Sequence, residues 1–313
     1  MGIKDFSKIV AGLTESLKWS EFSGKTVAMD AMFELHTAGK IPVSMTDSSG
    51  NDTGYLKIMM NKILKYMTLG IIPVYAFDNE ICTPLKKNEQ IKRKKVMDKT
   101  NEALEKLTLK CEKESVDYED VKEYSKLKGW SFKVTGKIIA EFQKLLRLMG
   151  VAYVIPPPEI EGEQLCVYLQ KKGYVDYIYT SDRGDVIAFG GTSVLSKSIK
   201  SGATYVDILY AKDIFEHYNI DYERFVEIAV ALGSDFSAEK VKGVGPKTVF
   251  SKKFKLNDDQ KKAKEYFMSK VPNKYKYVHK TFNPKKLMEY LKELEFSEKT
   301  ISSTIEKLEK YYA

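Results

Sequence analysis

IIPVYAFD, from Ile71 to Asp78, is a short run of apolar and aromatic residues closed by a carboxylate. It is too short for a helix and bounded by an acidic turn, so it reads as a buried strand. Three more runs have the same form: TVAMD from Thr26 to Asp30, VAYVIPPPE from Val151 to Glu159, and YIYTSD from Tyr177 to Asp182. Each ends at or beside an acid. Between them, apolar residues recur at helical spacing, as in Leu56, Met59, Met60, Ile63, Leu64 and Met67, or Ile138, Ile139, Phe142, Leu145, Leu146 and Leu148. Strands alternating with helices predict an α/β fold, a mostly parallel twisted sheet with helices on both faces and right-handed crossovers. Ligands of such sheets bind beyond the carboxyl ends of the strands, where these acids lie.

The 313 residues, 43% of them hydrophobic, suffice for a sizeable core and exclude disorder as the general state. Fifty-one Lys and Arg against 43 Asp and Glu leave a formal charge of +8, which suits a polyanionic partner without identifying one. Cys82, Cys111 and Cys166 are far apart, with no CxxC and no histidine at ligand spacing. Neither a disulfide framework nor a zinc site is expected, and a reducing compartment fits. The opening MGIKDFS has no basic-then-apolar signal, Phe6 stands where a myristoylation motif needs Ser or Thr, and no run approaches a membrane span. A soluble intracellular chain with no membrane partner is expected.

Two regions break the alternation. From Lys86 to about Trp130 the chain is charged and poor in large apolar residues, with Lys86, Lys87, Lys92, Arg93, Lys94 and Lys95 first and Asp117, Glu119, Asp120 and Glu123 later. It reads as a solvated helical insertion overhanging the acidic end of the sheet. From about Tyr205 onward the pattern reads as all helical, with amphipathic segments near Ala211 to His217, Tyr222 to Leu232, Pro284 to Leu294 and Glu298 to Tyr311. No linker sets this part off, so it is expected to pack on the sheet as an extension.

Crowded carboxylates raise one another's pKa and need a neutraliser, for which a divalent cation is suited. Asp30, Asp78, Glu159, Glu161, Asp182 and Asp185 come from successive βα connections, and Asp235, in LGSDF, is a seventh candidate. Oxygen-only ligation suits Mg²⁺ or Mn²⁺, and the pool is large enough for a pair of ions that clamp an in-line attack of water on a phosphodiester. Taken singly, each acid fits a helix N-cap as well, Glu159 and Glu161 especially. His36, His217 and His279 share no short-range pattern with a nucleophile. GVGPKT, from Gly243 to Thr248, lacks the GK[ST] core of a P-loop and has no preceding strand. It resembles the hairpin of a helix-hairpin-helix, whose glycines let backbone N–H groups approach a phosphate, and by itself fits a simple turn equally well. Lys240, Lys242, Lys247, Lys252, Lys253 and Lys255 surround it, and Phe267 to Met288 carries six lysines and no acid.

Taken in this order, the motifs resemble the XPG/FEN structure-specific 5′ nuclease superfamily, and most closely its flap endonuclease branch, over nearly the whole chain. The family's start appears as Met1 to Lys4 and its first metal acid as Asp30 in Val27 to Ala31. Asp78 closes P-V-Y-x-F-D, and Glu159 with Glu161 match E-x-E after P-P. Asp182 and Asp185 precede the turn Ala188, Phe189, Gly190, and Asp235 is followed by G-V-G-P-K. The resemblance implies that all seven acids bind two Mg²⁺ ions, for which Mn²⁺ substitutes. It implies that Lys86 and Arg93 are catalytic cations at the foot of a helical arch, and that Lys133 marks the arch's return to the sheet.

It further implies that Gly2, exposed as the N-terminus once Met1 is removed, lies beside the active site, and that His36, Gly243, Gly245, Lys247, Thr248 and Lys252 contact DNA. The hairpin Gly243 to Lys247, with Ser234 just upstream, resembles the family's helix-two-turn-helix, which implies binding of K⁺ near Ser234 and of the duplex backbone. The implied activity is that of a structure-specific 5′ flap endonuclease and 5′-3′ exonuclease on branched DNA, serving replication, repair or recombination in nucleus or cytoplasm. The expected organisation is one monomeric nuclease domain, 1–313, made of an N-terminal nuclease region (1–85), arch (86–133), internal nuclease region (134–204) and helical region (205–313). Departures from the pattern are one extra residue between Asp182 and Asp185, one between Asp235 and Gly243, and His36 where relatives stack a tyrosine. No sliding-clamp motif is recognisable before Tyr311, Tyr312 and Ala313, as in a viral, reduced or truncated enzyme.

Overall fold

The computed structural model describes residues 2–41, 43, 45–113, 116–237, 239–271 and 273–313. Its elements begin with α1 (Phe6–Ile9), β1 (Glu15–Lys18), β2 (Thr26–Asp30), α2 (Ala31–Gly39), α3 (Gly54–Thr68), β3 (Ile72–Ala76), α4 (Lys87–Lys113) and α5 (Tyr118–Trp130). They continue with α6 (Gly136–Met149), β4 (Ala152–Ile155), α7 (Gly162–Lys171), β5 (Tyr177–Tyr179), α8 (Arg183–Ala188), β6 (Ser193–Lys197) and β7 (Tyr205–Tyr210). The last are α9 (Ala211–Tyr218), α10 (Tyr222–Leu232), α11 (Asp258–Phe267), β8 (Lys276–Val278), α12 (Pro284–Glu293) and α13 (Glu298–Tyr312). Among the described residues no helix is long and apolar enough to cross a membrane.

The strands form one sheet in the order β1-β7-β6-β5-β2-β3-β4-β8. Central β2 runs parallel to both neighbours, with Asp30 opposite Ala76 of β3 and Met29 opposite Tyr179 of β5. β6 continues the parallel set beside β5, whereas β7 is antiparallel to β6 and to β1. The expected mostly parallel α/β sheet is therefore present, and all four runs read as strands are strands. The expectation of an all-helical chain after Tyr205 is corrected, because Tyr205–Tyr210 and Lys276–Val278 are strands. β7 buries Val206, Ile208 and Leu209, and it completes the pairing of β1 and β6.

The chain divides into two compact units that alternate along the sequence. The first is Met1–Ala31, Leu69–Glu89 and Tyr153–Tyr277, and it holds nearly all of the sheet. Ala28, Ala76, Val154, Ile178, Val194 and Leu209, one from each of β2 to β7, share a core with Leu165, Cys166 and Leu169 of α7 and with Val186 and Ile187 of α8. Alanines at the centre of that face let α7 sit directly over β2 and β3. Phe189, just past α8, anchors the aromatic part of this core, with ring centroids 5.8 Å from Phe236, 4.8 Å from Phe267 and 5.8 Å from Tyr266.

The second unit is Met32–Thr68, Gln90–Ala152 and Val278–Ala313. In it α3 packs on α6 and α13, and α12 packs on both of those. The buried Tyr55 hydroxyl donates to Glu141, and burial followed by that carboxylate pushes the phenol well above its ordinary value. Buried Glu34 pairs with Lys62 at 2.8 Å. Gly39 is required by packing, since a Cβ there would lie 2.1 Å from the Phe132 ring. α4 and α5 are mostly exposed, charged helices joined by an ion pair of 2.7 Å between Lys110 and Asp120.

Candidate metal centre

β2 ends on Asp30, so a buried carboxylate leaves the sheet at its carboxyl edge. Its Oδ2 accepts a hydrogen bond of 2.8 Å from the Thr180 hydroxyl, which follows β5, and the same hydroxyl accepts from the Asp182 N–H at 3.2 Å. Asp78 follows β3 and receives the Gly162 N–H, first of α7, at 2.8 Å. That approach needs glycine, because a Cβ on residue 162 would stand 2.9 Å from Asp78 Oδ1. The helix thus presents its N-terminal end to the carboxylates, where its dipole favours negative charge.

Glu161 is the N-cap of α7 and Glu163 lies in its first turn. Asp78, Glu161 and Glu163 bring one oxygen each within 4.8 Å of one another. Burial, followed by the charge of Asp30, raises the Glu163 carboxyl well above its ordinary value, with Asp78 and Glu161 adding to the effect and Lys86 opposing it. Lys86 Nζ lies 2.5 Å from Glu161 Oε2 and 5.0 Å from the centre of the Phe236 ring. Burial would lower this ammonium, but Glu163, Glu161 and Asp78 together outweigh it and hold it well above the ordinary lysine value.

Beyond β5, Asp185 in the first turn of α8 is 4% exposed, and among the described residues its Oδ1 has no hydrogen-bond partner. Its carboxyl is pushed well up by burial, then by Asp182 and Asp235, against the pull of Lys86. Gly2 packs on it, since a Cβ there would be 3.3 Å from Asp185 Oδ2. Met1 lies outside the described residues. Asp235 is buried in the loop after α10, where the Ser234 hydroxyl accepts the Phe236 N–H at 3.3 Å.

One expected member is displaced. Glu159 is exposed, in a left-handed backbone conformation (φ 65°), and is held through its main chain: its N–H donates to Ile81 O, and its carbonyl accepts the Tyr266 hydroxyl at 2.8 Å. The pair facing Asp78 is Glu161 and Glu163, two residues further on. EIEGE contains E-x-E twice, and a motif anchored on the preceding prolines selects the first. The signal that separates them is the helix start, because only Glu161 and Glu163 flank the glycine that α7 needs beside Asp78.

The other expected residues belong to the loop after α10 and to the second unit. Gly243 has φ 75°, Gly245 N–H donates to Thr248 Oγ1 at 3.2 Å, and Lys252 Nζ reaches Gly243 O at 3.0 Å. Between α10 and α11 the chain turns at Lys242 and Gly243 and again over 246–251, leaving Lys247 exposed. His36 on α2, Arg93 on α4 and Lys133 after α5 are exposed residues of the second unit.

An all-carboxylate donor set, two acids driven up by burial and then by neighbouring carboxylates, and a buried oxygen that among the described residues has no hydrogen-bond partner suit a hard divalent cation. Asp78, Glu161 and Glu163 would hold one, and Asp185, flanked by Asp182 and Asp235, carries the donor left over.

The family described as XPG N-terminal domain matches residues 1–100, and that described as XPG I-region matches 150–235. Flap endonuclease 1 of Theileria parva is 30% identical over 342 residues, covering 99% of this chain and 66% of that protein. Flap endonuclease 1 of Sulfolobus acidocaldarius is 25% identical over 343 residues, covering 98% and 95% respectively. The chain therefore spans about two thirds of the Theileria proteins, 66% and 64% of the two compared, and nearly all of the archaeal one. Among solved structures, flap endonuclease-1 from Methanococcus jannaschii shares the fold with a TM-score of 0.69 at 23% identity, over 95% of this chain and 96% of that one. The catalytic core of Rad2 in complex with DNA substrate does so with a TM-score of 0.71 at 20% identity, over 98% and 100%.

Proposed function

The chain belongs to the XPG family of nucleases, and from that premise we propose that it is a metal-dependent, structure-specific 5′ nuclease that cuts branched DNA at the base of a 5′ flap. The observation that carries this reading is the convergence of Asp78, Glu161 and Glu163 within 4.8 Å at the strand ends. The residues that hold the ions are Asp30, Asp78, Glu161 and Glu163 on one side and Asp182, Asp185 and Asp235 on the other. Bound Mg²⁺, or Mn²⁺ in its place, supplies Lewis-acid polarisation of the phosphodiester and lowers the pKa of the attacking water.

The protein's own groups do the rest. Lys86, charged and half-buried among the acids, orients the scissile phosphate and meets negative charge as it develops on the phosphoryl oxygens. Arg93 is its exposed counterpart from the arch helix α4. Gly2, His36, Lys133, Gly243, Gly245, Lys247, Thr248 and Lys252 position DNA through backbone contacts and stacking, which fix register without reading sequence. A K⁺ ion at the turns near Ser234 belongs to the same reading, as do a monomeric state and an intracellular role in replication, repair or recombination. End-labelled double-flap, nicked, Holliday-junction and bubble DNA incubated with Mg²⁺, beside EDTA and Asp185→Asn controls, tests it. Cutting near the flap base that EDTA and the mutation both abolish is expected; binding without cutting under any metal overturns the enzyme reading.

A further inference from the structure

The six lysines between Phe267 and Met288, with no acid among them, find no use in the acidic site. Part of this segment joins the far end of α7. The Tyr168 and Tyr275 rings lie 6.0 Å apart, and the Tyr168 hydroxyl donates to Asn273 at 2.8 Å. Lys172 Nζ stands 5.8 Å from the centre of the Tyr168 ring. After burial, the neighbours that push the Tyr275 phenol upward are Tyr174, Tyr168 and Tyr277, so four phenols share one patch. Two are solvent-facing, Tyr174 at 60% and Tyr277 at 59% exposure. Exposed Lys172, Lys274 and Lys276 adjoin them in the chain. The nearest acid in sequence, Asp176, is already engaged by the Thr26 N–H at 2.8 Å and by Lys25 at 3.7 Å.

This patch is remote from the carboxylates. Glu161 and Glu163 open α7 and Lys172 closes it, about 15 Å away along the ten-residue helix, with Tyr168 in its second half. Likewise Tyr174 precedes β5 and Asp182 follows it. The patch therefore lies at the amino edge of the strands and the acids at the carboxyl edge.

We propose that Tyr168, Tyr174, Tyr275 and Tyr277, with Lys172, Lys274 and Lys276, form a second nucleic-acid surface, one that takes single-stranded polynucleotide. Lysines alone would serve a duplex, which offers only its phosphates here. Open tyrosine faces add a partner for unpaired bases, and base–aromatic stacking beside a basic track is how sequence-independent single-strand binding is built. The net positive charge of the segment matches a polyanion.

The test is photocrosslinking of the full chain, in EDTA, to an oligothymidylate carrying 5-iododeoxyuridine, with crosslinked peptides mapped by mass spectrometry. Crosslinks at Tyr174 and Tyr277 are expected. They should fall about tenfold when Lys172, Lys274 and Lys276 are all changed to Gln, as loss of phosphate contacts requires, with crosslinks elsewhere and the thermal midpoint unchanged. Crosslinks confined to other surfaces, or a yield at the two tyrosines that ignores the lysine changes, overturn the proposal. So does equal displacement of the oligonucleotide by polyglutamate, which would make the surface one for acidic peptides.

Discussion

Glu159 and Glu163 carry the same functional group four residues apart, and their substitutions should separate cleanly. Glu163→Gln removes one of three converging oxygens, so Mn²⁺ affinity by titration calorimetry should fall about tenfold or more. Glu159→Gln leaves the backbone clasp to Tyr266 intact and should bind the ion like the wild type; equal losses in the two variants would return the pair to Glu159 and Glu161. Protonation gives a second expectation. Asp185 and Glu163 have folded-state pKa values raised above the ordinary 3.8 and 4.5, so their contribution to stability is full below those values and is lost as pH rises through the raised ones. Calorimetric melting in EDTA should therefore show a midpoint that drops as pH rises from the ordinary values through the raised ones, and Mg²⁺ should flatten the slope. An identical slope with and without metal would contradict the crowding argument. At this scale the sequence disclosed the residue types and the chemistry, but not which E-x-E of EIEGE faces the sheet. That choice depends on where α7 begins and on the close approach of Gly162 to Asp78, neither of which a linear motif contains.

α7 is the element on which the centre turns, because its first turn meets Asp78 and its body covers β2 and β3. Gly162→Ala places a methyl group 2.9 Å from Asp78 Oδ1, so either the helix start or the carboxylate must move. A loss of about 1–3 kcal/mol in denaturant unfolding is expected, as for other overpacked sites, together with weaker metal binding. Stability and affinity both unchanged would show that α7 is free to shift. The strands divide instructively in how well they could be read. β2, β3, β4 and β5 announce themselves because burial on both faces makes them continuous apolar runs. β1 (ESLK) and β6 (SVLSK) carry polar residues and become strands through their partner β7. β7 itself, YVDILY, runs straight into the helical periodicity of α9, so the boundary between two periods was hidden in one apolar stretch.

At the scale of the molecule, Phe189 joins segments that are distant along the chain, since its ring meets Phe236 beside Asp235 and Phe267 at the end of α11 while it caps the helix that carries Asp185. Phe189→Ala should destabilise by about 3–5 kcal/mol and also lower metal affinity, whereas a purely local role would leave affinity unchanged in the folded fraction. The overall architecture was legible because alternation of strand and helix constrains topology strongly. The division into two interleaved units was not, because no change in composition marks where the chain passes from one to the other. The proposed metal centre draws its donors from as far apart in the chain as Asp30 and Asp235. A polypeptide still leaving the ribosome therefore holds its early carboxylates without their late partner, and cannot assemble the full set until that residue has emerged. A product of premature termination before Asp235 would accordingly lack the complete set of carboxylates.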